Sequence, residues 1–176
     1  MPKTDRFMMD AWEKNLNALL AVILGAVISG SLYIQLFDHE EPCPLCLLQR
    51  LGMLGVATGA LMNLKFGAKT AHYGLSLLSG IMGGFVALRQ IALHVCPGFS
   101  KFGTPVLGLS LYTWSFIVFA SSAAYIALLL LFFDKRKGAI HPLNGWGYFA
   151  FVLVFLVTCA NIVLTFLECG WGPCNC

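Results

Sequence analysis

The sequence predicts an all-α integral membrane protein of one domain, with five membrane-spanning helices. Of its 176 residues, 59% are hydrophobic and only 11% are charged, and the mean hydropathy is +0.80. A soluble domain carries roughly 25% charged residues. Five apolar stretches are long enough to cross a hydrocarbon core of ~30 Å at ~1.5 Å per residue. The predicted spans cover about residues 15–37, 45–64, 71–95, 109–133 and 146–168.

The first predicted span follows a short polar lead, residues 1–14, which we expect to be partly helical at the membrane surface. The lead is mixed in charge, and the apolar run behind it is long enough to cross the bilayer. This pattern differs from that of a removable signal peptide. Gly25 and Gly30 lie within the span, where small residues typically let a neighbouring helix approach closely. We therefore expect close helix packing at both glycines.

Charged or helix-breaking segments separate the other four spans. An acidic turn, residues 38–41, precedes the second span, in which three glycines are spaced to form another close-packing face. Residues 96–107, after the third span, contain two prolines and two glycines that exclude a continuous helix. Basic residues at 135–137 end the fourth span. The fifth span leads into a cysteine-rich tail, residues 169–176.

The distribution of Lys and Arg predicts which ends of the spans are cytoplasmic. Eight of the eleven lie on one side, in the lead, in the turn at 65–69 and in the cluster at 135–137. The other side holds only Lys101, and the remaining two, Arg50 and Arg89, lie within spans. The N-terminus is therefore predicted to be cytoplasmic and the C-terminus, after five crossings, outside. Cys159 falls within a span. The remaining cysteines fall on the outer, oxidising side, which favours disulfide chemistry: Cys43, Cys46, Cys96, Cys169, Cys174 and Cys176.

Two cysteines three residues apart, Cys43 and Cys46, open the second span. Backbone N–H groups and the dipole at a helix N-terminus favour a thiolate, and we expect Cys46 to receive this stabilisation. Arg50 follows Cys46 by four residues on the same helix face, where it can hold an anion or an acceptor oxygen beside the sulfur. This combination indicates electron transfer between thiols and a lipid-soluble acceptor. Spacing alone leaves a structural disulfide or a metal-binding pair open.

Together these features resemble the DsbB family of disulfide-bond-formation membrane proteins, over about residues 15–133. The resemblance rests on the outer C-P-L-C followed by L-L-Q-R, on a third span with a late arginine and histidine, and on the segment G-L-S-L-Y-T-W-S that begins at Gly108. It implies a four-helix bundle in the bacterial inner membrane, to which this chain adds a fifth helix. Such proteins reoxidise a periplasmic thioredoxin-like (DsbA-type) dithiol oxidase and pass the electrons to a quinone, either ubiquinone or menaquinone.

The resemblance also implies roles for individual residues. Cys43 and Cys46 match the quinone-facing redox pair, with Cys46 next to the quinone ring, and Arg50 matches the arginine that contacts the quinone oxygen. His94 lies two residues before Cys96 and can act as a proton donor or hold the quinone.

Two departures from the family pattern concern the second redox pair, which accepts electrons from the partner oxidase. The family places both of its cysteines in the loop between the third and fourth spans, where this chain has Cys96 alone. The chain also has an extra span that carries three more outer cysteines. We expect Cys169, Cys174 or Cys176 to replace the missing partner of Cys96, provided that their Cα atoms come within the ~4.4–6.8 Å that a disulfide requires.

Three other functions fit part of the pattern. The cysteine pairs are suitable soft ligands for copper or zinc, but the spans lack a Met, Cys or His ladder for metal transport; the leading interpretation therefore includes no metal site. A vitamin-K-epoxide-reductase-like quinone enzyme shares the bundle and the C-x-x-C, although its quinone-reactive pair usually lies late in the bundle. The third alternative is a structural assembly subunit whose disulfides are passive. Nucleic-acid binding is excluded, because Lys and Arg form no basic patch with interleaved aromatics.

Overall fold

The computed structural model describes residues 3–37, 43–95, 105–131 and 143–169, and these ranges form five α-helices. All five are long and apolar enough to cross a membrane, which confirms the predicted all-α fold class of a multi-pass membrane protein. The helices are α1 (Lys3–Phe37), α2 (Pro44–Phe66), α3 (Thr70–Val95), α4 (Leu111–Leu131) and α5 (Gly145–Cys169).

The start of α1 agrees with the expectation that the polar lead is partly helical. The lead continues into the first span as one helix of 35 residues, which begins at Lys3. In contrast, α4 begins two residues later than predicted, because a tight turn pairs Val106 with Leu109. Leu107 and Gly108 in this turn have φ angles of 52° and 79°, a left-handed conformation that an α-helix does not contain.

The helix α2 lies at the centre of the bundle and contacts each of the other four helices. Its glycines provide the predicted close approach to α3: a Cβ added at Gly59 would lie only 2.6 Å from the backbone oxygen of His72. The helix α3 in turn packs on α4, whereas α1 and α4 are separated along most of their length. The four helices therefore surround α2 incompletely and leave a cleft between α1 and α4.

The fifth helix packs on the outside of α1 and runs parallel to it. At its start, Asn144 donates a hydrogen bond from Nδ2 to Oδ1 of Asn15, at 2.7 Å. Further along, a Cβ added at Gly25 would meet Leu153 of α5 at 2.9 Å, so the expected close packing at Gly25 is confirmed. Because the two helices are parallel, α5 ends at the same end of the bundle as α1. We call this end, which also holds the start of α2, the cysteine end.

A buried network of polar side chains connects α1, α2 and α3 at the opposite end of the bundle. Asn17 donates from Nδ2 to the hydroxyl of Tyr73 at 2.9 Å, and that hydroxyl donates to Oε1 of Glu13 at 3.0 Å. Asn63 donates from Nδ2 to Oδ1 of Asn17 at 3.0 Å, and its own Oδ1 lies 3.1 Å from Nδ1 of His72. Such bonds join membrane helices where apolar contacts alone give little specificity.

Candidate functional site

The two cysteines of the C-P-L-C motif meet at the N-terminus of α2. Cys43 is the N-cap residue, and Pro44 occupies the first helical position, where its missing N–H costs nothing. The two Sγ atoms lie 3.1 Å apart, within hydrogen-bonding distance. The Sγ of Cys43 also accepts a hydrogen bond from the backbone N–H of Cys46, at 3.4 Å. The sulfur that faces the helix N-terminus is therefore Cys43, and the expectation that it is Cys46 is wrong.

This geometry changes the acidity of Cys43. The hydrogen bond from the Cys46 thiol lowers the pKa of Cys43 to about 6, and hydrogen bonds from the backbone N–H groups of Cys46 and Leu45 act in the same direction. The charge of His94 also lowers this pKa, while partial burial opposes the shift. An ordinary cysteine thiol has a pKa of ~8.5. Cys43 is therefore largely a thiolate at neutral pH, the form that attacks disulfides.

A buried glutamine of α3 contacts both sulfurs. The Nε2 atom of Gln90 lies 3.5 Å from Sγ of Cys43 and 3.6 Å from Sγ of Cys46. Its Oε1 accepts a hydrogen bond of 2.7 Å from Nε2 of Gln49 on α2. Both glutamines are almost completely buried. The sequence motifs do not identify Gln90, although a polar residue late in a membrane span is itself a signal of a functional position.

Arg50 is buried one turn below Cys46 and reaches across to α1. Its Nε donates to Oγ of Ser31 at 3.0 Å, and its Nη2 donates to the backbone oxygen of Ser31 at 3.2 Å. Its Nη1 donates to Oε1 of Gln35. Burying a charge is costly unless hydrogen bonds compensate, and here α1 supplies three of them. The sequence motifs do not identify Ser31 and Gln35 as partners of Arg50, because both are isolated polar residues within an apolar span.

A cavity of about 230 Å³ lies in the cleft between α1 and α4, with Cys46 and Arg50 in its wall. Gly30 also lines the cavity, and a Cβ added there would meet nothing within 4 Å. The expectation that Gly30 mediates close helix packing is therefore wrong, because this glycine faces open space. An apolar cavity of about 150 Å³ can hold benzene, so this one has room for a substituted ring. Its other walls are formed by Val27, Ser31, Ile34, Gln35, Gln49, Met53, Gln90, Val106, Leu111, Tyr112, Trp114 and Ser115.

His94 lies beside this cavity but is not among the residues that line it. Its ring stacks on Tyr112 with a centroid separation of 5.0 Å, and Tyr112 does line the cavity. The Nδ1 of His94 lies 2.8 Å from the backbone oxygen of Gln90, which fixes the ring at the end of α3. The structure thus brings His94 close to Cys43 and Gln90 and places Tyr112 between His94 and the cavity.

Comparison with known proteins adds independent information. The family model for disulfide bond formation protein DsbB matches residues 13–102, about half of the chain. The chain belongs to the DsbB family. Relatives named disulfide bond formation protein B extend the similarity. The protein from Burkholderia thailandensis is 30% identical over 68% of this chain and 90% of its own length. The relative from Pseudomonas syringae pv. syringae, disulfide bond formation protein B 1, is 30% identical over 71% of this chain and 93% of its own length.

A third relative, from Cupriavidus metallidurans, is 33% identical, over 51% of this chain and 56% of that protein. No solved structure matches the chain. The DsbB match begins in α1 and continues through α2 and α3, so it includes the cysteine pair, Arg50 and Gln90. This DsbB-family chain is therefore a disulfide bond formation membrane protein.

The other predicted site residues fall at or beyond the limits of the described ranges. Cys96, Cys174 and Cys176 lie outside the residues that the structure describes. Cys169 is the last residue of α5, which brings it to the cysteine end of this DsbB-family bundle. Cys159 lies on an exposed face of α5. Within the described ranges, three or more His, Cys, Asp or Glu side chains nowhere cluster so as to hold a metal ion.

Proposed function

We propose that this DsbB-family protein is a thiol:quinone oxidoreductase. It oxidises the dithiol of a thioredoxin-like, DsbA-type partner and passes two electrons to a membrane quinone. One observation carries the proposal: in a cysteine pair whose N-cap geometry favours a thiolate at Cys43, the second cysteine, Cys46, lines an apolar cavity with a buried arginine in its wall. Family membership supports disulfide formation, and the position of the cavity between two membrane helices supports a lipid-soluble acceptor.

The residues around the cavity suit a quinone. A quinone ring is flat and apolar, with carbonyl oxygens that accept hydrogen bonds, and the cavity offers apolar walls together with the guanidinium of Arg50. Arg50 would hold a carbonyl oxygen, and Cys46 lines the same wall. A quinone bound there would accept two electrons and two protons and leave as the quinol.

The chain's own part in the reaction is to keep the two sulfurs and their protons in place. In the oxidised state Cys43 and Cys46 form a disulfide, which an incoming thiolate attacks, so that one of the two sulfurs leaves as the thiolate. A second exchange releases the donor as a disulfide and leaves both cysteines reduced, with two electrons gained. Loss of two electrons and two protons from this dithiol closes the disulfide again.

We further propose that a second disulfide passes electrons to this pair. Cys96 would pair with Cys169, Cys174 or Cys176, since α5 ends at the cysteine end of the bundle. This end would face the periplasm, with the N-terminus in the cytoplasm, and the protein would lie in the bacterial inner membrane. The excess of Lys and Arg at the opposite ends of the spans supports this orientation.

The experiment that tests the proposal measures quinone reduction by the purified protein, with a reduced thioredoxin-like oxidase as the electron donor. Ubiquinone and menaquinone analogues are tried in parallel. We expect wild type and the control variant Lys65→Ala to consume quinone, and Cys46→Ser to consume none. Equal rates for wild type and Cys46→Ser, or no reduction of either quinone by wild type, would contradict the proposal.

The second pair is tested separately by trapping mixed disulfides between the partner and each Cys→Ser variant. We expect replacement of Cys96 to abolish transfer from the partner, and replacement of the correct tail cysteine to do the same. If Cys96→Ser still accepts electrons from the partner at the wild-type rate, the proposed second pair is wrong.

A further inference from the structure

We propose that Gln90 is a positioning residue for the cysteine pair: its side-chain amide is a single hydrogen-bond donor shared by both sulfurs, which holds them against each other and stabilises negative charge on either one. The inference rests on the proposed function, in which Cys43 and Cys46 are the redox-active pair. It goes beyond that function by assigning to α3 a part in the thiol chemistry that neither the C-P-L-C motif nor Arg50 supplies.

The geometry of the three groups is nearly symmetric. The Nε2 of Gln90 lies 3.5 Å from one sulfur and 3.6 Å from the other, and the sulfurs are 3.1 Å apart. An amide nitrogen carries two hydrogens, so it can donate to both sulfurs at once. Because Gln90 is only 1% exposed, water does not compete for these hydrogens. The donor therefore serves the pair as a unit instead of one cysteine.

The orientation of the Gln90 amide is fixed from outside the pair. Its oxygen accepts the 2.7 Å hydrogen bond from Nε2 of Gln49, and this contact would be lost if the amide turned over. With the oxygen held in this way, the nitrogen lies nearer to Sγ of Cys46, at 3.6 Å, than the oxygen does, at 4.0 Å. Gln49 lies on α2, on the helix that begins at the cysteine pair, so the α2–α3 interface sets the direction of the donor.

A shared donor suits thiol–disulfide exchange, in which negative charge moves from the attacking sulfur to the leaving one. A donor aimed at one sulfur would have to reorient as the charge moved, whereas Gln90 already contacts both positions. Donors that need no reorganisation as charge moves are the effective ones. Among the described residues, Arg50 on α2 and His94 on α3 add positive charge near Cys46 and Cys43, respectively.

The test follows the alkylation of Cys43 by iodoacetamide from pH 4 to pH 10 in the fully reduced, full-length protein, with tandem mass spectrometry to locate the label. Gln90→Met keeps the length and burial of the side chain but removes the donor. Gln49→Met leaves the donor and removes the group that orients it. Ser76→Ala is the matched control, because Ser76 is buried on the same helix and donates to the backbone of Val56, far from the sulfurs.

We expect Gln90→Met to raise the pH midpoint of alkylation by about one unit, which is about a tenfold slower reaction below the midpoint. Gln49→Met should raise it by less, and Ser76→Ala should leave it unchanged. A Gln90→Met profile that superimposes on the wild-type profile would overturn the inference. If Gln90→Met does not fold, Gln49→Met decides: an unchanged midpoint overturns the inference, and a raised midpoint supports it.

The experiment needs neither a quinone nor a partner protein, so it separates the two ideas. A wild-type protein that reduces no quinone, combined with a raised midpoint in Gln90→Met, would contradict the proposed function and support the shared donor. Normal quinone reduction by wild type, combined with an unchanged midpoint in Gln90→Met, would support the proposed function and contradict the shared donor.

Discussion

Arg50 on α2 donates two hydrogen bonds to Ser31 on α1, from Nε to the side-chain oxygen and from Nη2 to the backbone oxygen. The guanidinium plane is thereby fixed while one edge of the side chain still borders the cavity. A lysine at this position would carry the same charge but could not reproduce the planar fork of donors. The contact therefore makes the orientation of the cation, as well as its charge, a feature that can be tested.

The first prediction concerns this orientation. We expect Arg50→Lys to lower kcat/KM for quinone reduction by about 10-fold to 100-fold, which corresponds to the loss of one hydrogen bond to a charged group, about 1.5–3 kcal/mol. Ser31→Ala should have a smaller effect in the same direction, because the backbone contact remains. Steady-state kinetics with the purified protein measure both. Wild-type kinetics for Arg50→Lys would show that charge alone is sufficient.

The second prediction follows from the pKa of Cys43, about 6. Below this pH the sulfur is protonated and unreactive, so alkylation of Cys43 in wild type should rise to half of its maximum near pH 6. The largest cause is the hydrogen bond from the Cys46 thiol, so Cys46→Ala should move the midpoint upward, towards the ~8.5 of an ordinary thiol. A pH series with iodoacetamide measures the change. An unmoved midpoint in Cys46→Ala would mean that groups other than the Cys46 thiol set the acidity of Cys43.

The third prediction compares two glycines of the bundle. Gly30 borders the cavity and has free space where a Cβ would be, whereas a Cβ at Gly59 would press on the backbone of α3. Gly30→Leu should fold normally, fill the cavity and reduce quinone turnover at least tenfold. Gly59→Leu should lower the thermal midpoint of unfolding. Gly30→Ala serves as the control, with little change in either measurement. Full turnover by Gly30→Leu would place the acceptor elsewhere.

The fourth prediction concerns the polar network at the other end of the bundle. Asn63 joins Asn17 of α1 to His72 of α3, so Asn63→Leu leaves buried polar groups without partners. We expect it to destabilise the protein by about 1–3 kcal/mol. Thermal unfolding in detergent, followed by circular dichroism, measures this loss. Alkylation of Cys43 in the folded fraction should keep its wild-type pH midpoint, since the network is remote from the cysteine end. A shifted midpoint would show that the two ends of the bundle are coupled.

The sequence predicts the helices and the cysteine pair because both are local features. A long apolar run predicts a membrane span, and two cysteines three residues apart at its start indicate a reactive pair. The Gln90–Gln49 contact could not be predicted, because it depends on how α2 and α3 are rotated against each other. The same limit applies to Cys43: spacing places both sulfurs near a helix start, and only the N-cap geometry shows which of them accepts the backbone N–H.

The sequence predicts the limits of some helices better than those of others, again because local features are easier to predict than contacts in the folded chain. Most predicted span limits lie within a residue or two of the observed ones, since hydropathy changes sharply there. The start of α4 lies two residues later than predicted because Leu107 takes a positive φ, although nothing in its side chain favours that conformation. The indole of Trp114 donates to the backbone oxygen of Val106 at 2.9 Å and ties the turn to α4, a contact that only the folded chain reveals.

The cleft between α1 and α4 lies between two hydrophobic helices, so on the proposed function its ligand arrives by partition into the bilayer and not from water. Occupancy then depends on the mole fraction of quinone in the surrounding lipid or micelle. Adding detergent at a constant total amount of quinone dilutes that phase and should raise the apparent KM in proportion, while kcat stays the same. The affinity of this protein for quinone is therefore meaningful only when it is expressed as a mole fraction in the lipid or micelle. Apparent KM values measured at different detergent concentrations would differ for the same site.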